Sequence, residues 1–409
     1  MKKNLSVFRE EKNYARFLSS VFISGVGDWF HSVAVFSLLL QLESTGMALG
    51  ITMALRVLPH LLFGPFGGLL ADRFSRKKIL VSCDVIQALA ALSLLLVSTA
   101  DDIWLIYVST FVLMSATAVQ MPTRAASIPS LVKKENLLKA NSMNSASVGL
   151  VMVIGSMLGG FVTAALEIDI AFVVNAITLL VSAFIMLSIK FPHSKSLELK
   201  EKLSLKRFNV LLPIIKDSRI LQLVMIYYVL WAIGGGIMNL IPSVFAFDVY
   251  NLDNLGVGIL YACFGLGQIL GGFVSSYIEK WPSRAIAIGF LIEGIAYQFF
   301  SISPNIILGG LMLVLALAGV TVGNTFVNTI VMQYVPEKYL GRFFSLIFTS
   351  VNVILGTTMI ISGALLAKLL PQQLAMLSGV LITIPAIIIG YNLWRIKIPQ
   401  SQNNDTLKA

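Results

Sequence analysis

The sequence predicts an all-α membrane protein with twelve transmembrane helices in two pseudo-symmetric six-helix bundles. Three observations predict it. The chain of 409 residues is 57% hydrophobic and 12% charged, against roughly 25% charged for a soluble domain. Apolar stretches of about 18–25 residues, each able to cross a bilayer core of roughly 30 Å, recur along the whole chain. A short pattern also repeats across the midpoint at nearly constant spacing. The composition excludes a soluble multidomain protein and a disordered one, and two cysteines exclude a disulfide scaffold.

The spans fall at about 15–42, 48–71, 79–98, 104–122, 143–166, 170–189, 220–247, 255–278, 285–302, 305–326, 343–369 and 374–394. Residues 1–16 are basic and amphipathic, with no small-residue cleavage site behind a short apolar core. Span 1 is therefore expected to be a retained anchor. A net charge of +10 would raise nucleic acid for a soluble protein; here the placement of the charge excludes that partner. With the N-terminus inside, 28 of the 30 Lys and Arg residues fall in segments facing the cytoplasm, the exceptions being Arg56 and Lys368. The short outer loops carry Glu43, Asp101, Asp102, Glu167, Asp169, Asp248 and Asp253 instead. Lys and Arg resist translocation, so both termini are expected in the cytoplasm of a multi-pass cell-membrane protein.

The longest polar segment, 190–219, divides the spans six and six and contains the charge-rich run 195–207. It is expected to be a cytoplasmic linker, solvated or partly laid on the inner leaflet. Residues 1–189 form one bundle, and 220–409 form the other with a short tail. Gly67-Gly68 near the end of span 2 recurs as Gly271-Gly272 near the end of span 8, at an offset of 204 residues. Leu131-Val132 and Leu137 before span 5 recur as Tyr334-Val335 and Leu340 before span 11, at an offset of 203. Duplicated bundles with a site between them are the architecture of an alternating-access carrier.

The residues also carry a resemblance. Gly68-Leu-Leu-Ala-Asp72-Arg73-Phe-Ser75-Arg76-Lys77-Lys78 resembles the Gly-x-Leu-x-Asp-Arg-x-Gly-Arg-Lys loop of the major facilitator superfamily, with Ser75 in place of glycine. Gly25-Val-Gly-Asp28-Trp29-Phe, Pro122-Thr-Arg124-Ala-Ala-Ser-Ile-Pro129 and Asn141-Ser142 resemble the superfamily's drug-efflux and siderophore-export branch. The resemblance covers the whole chain and implies the major facilitator fold and a bacterial exporter. It also implies a gate at Gly68, Asp72, Arg73 and Arg76, where the Asp72 carboxylate meets a helix N-terminus, that of span 11. Arg73, Arg76, Lys77 and Lys78 stand ready to pair with it; the alternative is a plain positive-inside loop. Gly155-Ser156-Met-Leu-Gly159-Gly160 is similar to the exporters' antiporter motif, with Ser156 at the proline position. That likeness implies tight contact between the halves; ordinary small-residue packing is the other reading.

Ionisable residues inside the spans are few and costly to bury. Asp28 lies in the middle of span 1, with Arg56 and His60 one turn apart in span 2 at similar depth. Either Asp28 carries a coupling proton tuned by Arg56 and His60, or the three form a static ion pair. Glu293, in span 9, is a second candidate for the proton; in this fold a third helix is peripheral, which would set it near lipid unless it turns inward. Asp84 is expected to face the cytoplasmic cavity, and His31 shares a face with Asp28. Trp29, Gln120, Tyr228, Trp231, Asn239, Gln268, Asn324, Asn328 and Asn352 are candidates for a cavity lining with few fixed charges. Such a lining favours a bulky, amphipathic or cationic organic substrate.

No phosphate-binding loop points to ATP. Neither the three histidines nor the distant Cys83 and Cys263 are spaced for a metal. No enzyme activity and no cofactor is expected, the energy source being a proton gradient. The partners are a small organic molecule and the bilayer, around a monomer. Drug or macrolide efflux by proton antiport is the leading expectation. The alternatives are a siderophore exporter or lysolipid transporter and, last, a carrier-like sensor that does not transport.

Overall fold

The computed structural model of the chain describes residues 10–42, 46–165, 168–191, 209–278 and 282–395. The linker run 195–207, His193, Glu43, Glu167 and the tail beyond 395 lie outside the described residues. The first bundle comprises α1 (Lys12–Leu42), α2 (Gly46–Arg73), α3 (Arg76–Ser93), α4 (Ile103–Leu131), α5 (Leu137–Ala165) and α6 (Ile168–Ser188). After a short helix at Leu211–Asp217 the second comprises α7 (Arg219–Val244), α8 (Asp253–Tyr277), α9 (Pro282–Ser301), α10 (Ile306–Tyr334), α11 (Leu340–Leu365) and α12 (Pro371–Arg395). Nine of the twelve, among the described residues, are long and apolar enough to cross a membrane. The other three are α1, α2 and α9, which carry Asp28, Arg56 with His60, and Glu293.

Several helices outrun the apolar stretches that announced them. The largest difference is in α4, which passes through Pro122 and Pro129 and ends at Leu131 rather than at 122. Its partner in the second bundle, α10, likewise runs on to Tyr334 rather than 326. Apolar runs mark the part of a helix that meets lipid, not the polar turns continuing beyond it. Arg124, counted among the loop cations, is therefore an intrahelical residue.

The two bundles repeat one packing scheme. In the first, α1 packs on α5 and α6, α4 on α2 and α3, and α3 on α6; in the second, α7 packs on α11 and α12, α10 on α8 and α9, and α9 on α12. The bundles meet along two matching seams, α2 against α11 and α8 against α5. One end of the molecule collects the basic loops. There the Tyr14 hydroxyl donates to the Ala140 carbonyl at 2.7 Å, and Lys77 Nζ donates to the carbonyls of Leu187 and Ile189 at the end of α6. At the opposite end Asp102 accepts from the backbone N–H of Ser98 and Thr99 at 3.0 and 2.9 Å, closing the turn into α4.

Candidate functional site

Each seam depends on a glycine pair in which the two glycines face different ways. A Cβ on Gly67 would lie 2.8 Å from the Val119 Cα of α4, within the bundle. A Cβ on Gly68 would lie 2.5 Å from the Gly341 carbonyl and from Ser345 Cβ, on α11 of the other bundle. The repeat pair divides the same work: Gly271 meets the Ala318 carbonyl of α10 at 2.5 Å, and Gly272 meets the Ala146 nitrogen of α5 at 2.7 Å. Gly68 and Gly272 are two of the positions where the backbones of the two bundles approach too closely for a side chain.

The approach at Gly68 carries Asp72 onto the first turn of α11. Its carboxylate accepts from the N–H of Gly341 at 3.0 Å and of Arg342 at 3.3 Å. These are donors that a helix start leaves without intrahelical partners, at the positive end of the helix dipole. The Arg342 Nε also lies 3.1 Å from Asp72 Oδ2, and both side chains are buried. Arg76 adds a second link across the seam, from Nη1 to Glu337 Oε1 and from Nη2 to the Glu337 carbonyl, each at 3.2 Å. Arg73 lies over the Phe74 ring, 5.6 Å from its centroid. Two of the expected cations thus differ from expectation, Arg76 pairing with Glu337 and Lys77 binding the end of α6, while the ion partner of Asp72 is Arg342 of the other bundle.

The second seam is uncharged along its described contacts. Ser276 stands where the 204-residue offset would place the counterpart of Asp72. Ser275 Oγ donates to Ser142 Oγ at 2.9 Å, Asn141 Nδ2 donates to Thr329 Oγ1 at 3.1 Å, and Ser145 meets Thr325 at 3.1 Å. Gly155 does not serve contact between the halves. A Cβ there would lie 2.6 Å from the indole of Trp29 on α1, inside the first bundle. The α5 glycine that faces the other bundle is Gly149, against the Gly265 carbonyl of α8. Gly159 and Gly160 continue α5, and their surroundings lie outside the described residues.

The first bundle holds a buried polar cluster that differs from the expected triad. Asp28 Oδ1 is sealed from solvent without a hydrogen-bond partner. The charged groups near enough to act on Asp28 are Arg124, Arg56 and Asp84. Arg56 Nη2 reaches Ser32 Oγ at 3.5 Å, one turn from Asp28, whereas His60 turns its Nδ1 to the Arg56 carbonyl on its own helix at 3.2 Å. Among the described contacts, His60 makes none to Asp28. His31 is buried edge-on against Phe172, with ring centroids 5.7 Å apart.

Arg124 is the residue that the sequence reading missed. Its Nη2 donates to Ser24 Oγ at 3.1 Å, one turn before Asp28, and lies 3.8 Å from Asp84 Oδ1. Its Nε is buried without a partner. Asp84 is fully buried rather than facing a cavity: Gln120 donates to its Oδ1 at 2.5 Å and Ser182 to its Oδ2 at 2.7 Å. Gln120 thereby leaves the set of cavity-lining candidates. Arg124 thus links the buried Asp84 to Ser24, one turn from the half-buried Asp28, an arrangement whose protonation responds to small displacements.

In the second bundle Glu293 turns inward and is fully buried. Trp231 Nε1 donates to its Oε1 at 2.8 Å, while Oε2 has no partner. Trp231 is thus committed to an internal acid, and Tyr228 lies edge-on to Tyr227, with centroids 6.5 Å apart. Asn239 and Asn352 spend their amide donors on Gly235 and Phe348 of their own helices, at 2.9 and 2.8 Å. Gln268 reaches Met152 Sδ across the second seam at 3.8 Å. On α10 it is Thr325 and Thr329, next to Asn324 and Asn328, that bond to the other bundle. Uncharged polar residues therefore belong to the seams as much as to any cavity wall.

Comparison with known proteins converges on one family. The sequence profile of the Major Facilitator Superfamily matches residues 17–253 and 230–409. The chain is similar to the "Uncharacterized MFS-type transporter YfiS" of Bacillus subtilis, 32% identical over 181 residues; that match spans 44% of this chain and 43% of the relative's length. It is 22% identical over 355 residues to macrolide efflux protein A of Streptococcus pyogenes, covering 85% of this chain and 88% of that protein. The crystal structure of the human organic anion transporter MFSD10 (TETRAN) shares the fold, with a TM-score of 0.76 at 14% identity over 92% of this chain and 99% of that one. With its two bundles, paired glycine seams and matched loop, the chain belongs to the major facilitator superfamily of transporters and is not an enzyme.

Proposed function

We propose that the chain is a secondary active exporter of hydrophobic or amphipathic small molecules, driven by proton antiport through alternating access in the bacterial cell membrane. The observation that carries the proposal is Asp28, whose buried Oδ1 lacks a partner while Arg124 is shared with Asp84. Asp28 is set between two cations and another acid, with Arg124 and Arg56 attracting its negative charge and Asp84 opposing it. How far that charge is neutralised depends on where the two guanidinium groups stand. A displacement of Arg124 between conformations therefore exchanges protonation with access.

Two further facts support the direction and class. The loops and helix ends on the basic side hold most of the 30 cations, which favours a cytoplasmic location for that end. With that orientation, a seam closed at Asp72–Arg342 and Ser142–Ser275 corresponds to an outward-facing state. Similarity to macrolide efflux protein A over most of both chains supports a bulky organic substrate.

The test is reconstitution in liposomes under an imposed pH gradient, with a screen of dyes, macrolides, siderophores and lysolipids. Uptake of a dye or macrolide accompanied by counterflow of protons is expected. A siderophore or lysolipid as sole substrate would replace the substrate class, and proton flux unmoved by every compound would overturn the antiport mechanism.

A further inference from the structure

The flank of the first bundle carries a cleft that neither the gate nor the buried cluster uses. It is a cavity of about 550 Å³ between α2 and α3, floored by α4 and lined almost wholly by apolar atoms. Phe63 and Leu70 line it from α2, Phe74 from the turn that follows, Ile86 from α3, and Phe111 from α4. Phe63 and Phe111 pack edge to face across it, with centroids 6.0 Å apart. Phe74 and Ile86 are 42% and 45% exposed, so the cleft opens sideways, to where lipid would lie.

The cleft has a polarity. At one end stands Lys78, exposed, in the first turn of α3 beside Arg76 and close in sequence to Arg73 at the end of α2. From Phe63 to its end at Arg73 the α2 wall runs about 15 Å at the helical rise per residue, and Phe74 extends it. That is about half of a roughly 30 Å bilayer core, the depth of one leaflet. An amphiphile with an anionic head at Lys78 and an acyl chain ending near the Phe63–Phe111 pair fits both the charge and the length. Lys77 is not available for this role, because its ammonium is held by the Leu187 and Ile189 carbonyls.

We propose that this cleft is a binding site for an anionic phospholipid of the basic-end leaflet, with the lipid phosphate at Lys78 and one acyl chain in the cleft. The proposal goes beyond the export reading and does not depend on it. The bound chain would fill the gap between α2 and α3, directly behind the helix that carries Gly68 and Asp72.

Native mass spectrometry of the purified, delipidated protein tests this by titration with phosphatidylglycerol and phosphatidylcholine of matched chains. The expected result is preferential retention of phosphatidylglycerol, with Lys78→Gln lowering that preference about fivefold, as one basic residue near a charged lipid contributes. Ile86→Trp, which places an indole at the cleft rim, should lower binding of both lipids. Equal retention of the two lipids by the parent protein would overturn the proposal. So would unchanged preference in Lys78→Gln, or binding by Ile86→Trp equal to the parent. Because the readout is binding by monodisperse protein, failure here leaves the transport reading untouched.

Discussion

At the scale of single residues, the account turns on which charges are held and which are shared. Asp84 is held by Gln120 and Ser182 on both oxygens, whereas Asp28 has an oxygen with no partner. Arg124 stands between them and keeps an unpaired Nε. Removing one partner of a buried charged group costs about 3–5 kcal/mol. Arg124→Gln is therefore expected to abolish concentrative export, and its cost should be relieved when Asp84→Asn is added. Substrate accumulation in vesicles and thermal unfolding of the purified variants check this; export equal to the parent would remove Arg124 from the mechanism. Arg124 was hard to read from the sequence because Pro122 closes the apolar run, and a cation just beyond a run looks like a loop charge. The Trp231–Glu293 pair was hidden for another reason. The two lie 62 residues apart on α7 and α9, and their meeting depends on how each helix is rotated.

Elements supply the gate, and here much more was legible. An acid at the end of span 2 after a glycine pair implied contact with a helix start, and the repeat of that pair marked the bundles as duplicates without locating the second seam. Asp72 does sit on the first turn of α11. What the spacing could not give was Arg342 as ion partner, since that depends on the rotation of α11. Asp72→Asn would leave the Arg342 guanidinium buried beside a neutral amide, at a cost of the same order as other broken buried pairs, about 3–5 kcal/mol. Transport should fall and the basic end should open, read as increased labelling of a cysteine placed at Ser345. Unchanged labelling and transport would return the loop to a plain orientation signal. Gly68→Ala forces a methyl against the Gly341 carbonyl, and Gly272→Ala forces one against the Ala146 nitrogen. Overpacking of this kind costs about 1–3 kcal/mol, so both variants should disfavour the closed basic end to a similar extent. A marked difference between them, measured by the same labelling, would show that the two seams do not work as equivalents.

For the whole molecule, the internal pairings repeat between bundles while the seams differ in chemistry. Asp72–Arg342 and Arg76–Glu337 make one seam ionic; serine, asparagine and threonine make the other neutral. Both must part for the substrate path to open at the basic end. Cysteines replacing Ser142 and Ser275, whose hydroxyls lie 2.9 Å apart, should form a disulfide on oxidation and stop transport until reduced. Full activity of the crosslinked protein would mean that this seam does not open.

The central claim is that protonation of Asp28 drives export, and vesicle transport with and without a proton gradient tests it most directly. Asp28→Asn fixes the neutral form. It should abolish accumulation of substrate against its gradient, while binding and downhill exchange of the same substrate persist. Accumulation by Asp28→Asn equal to that of the parent protein would contradict the claim and transfer the test to Glu293.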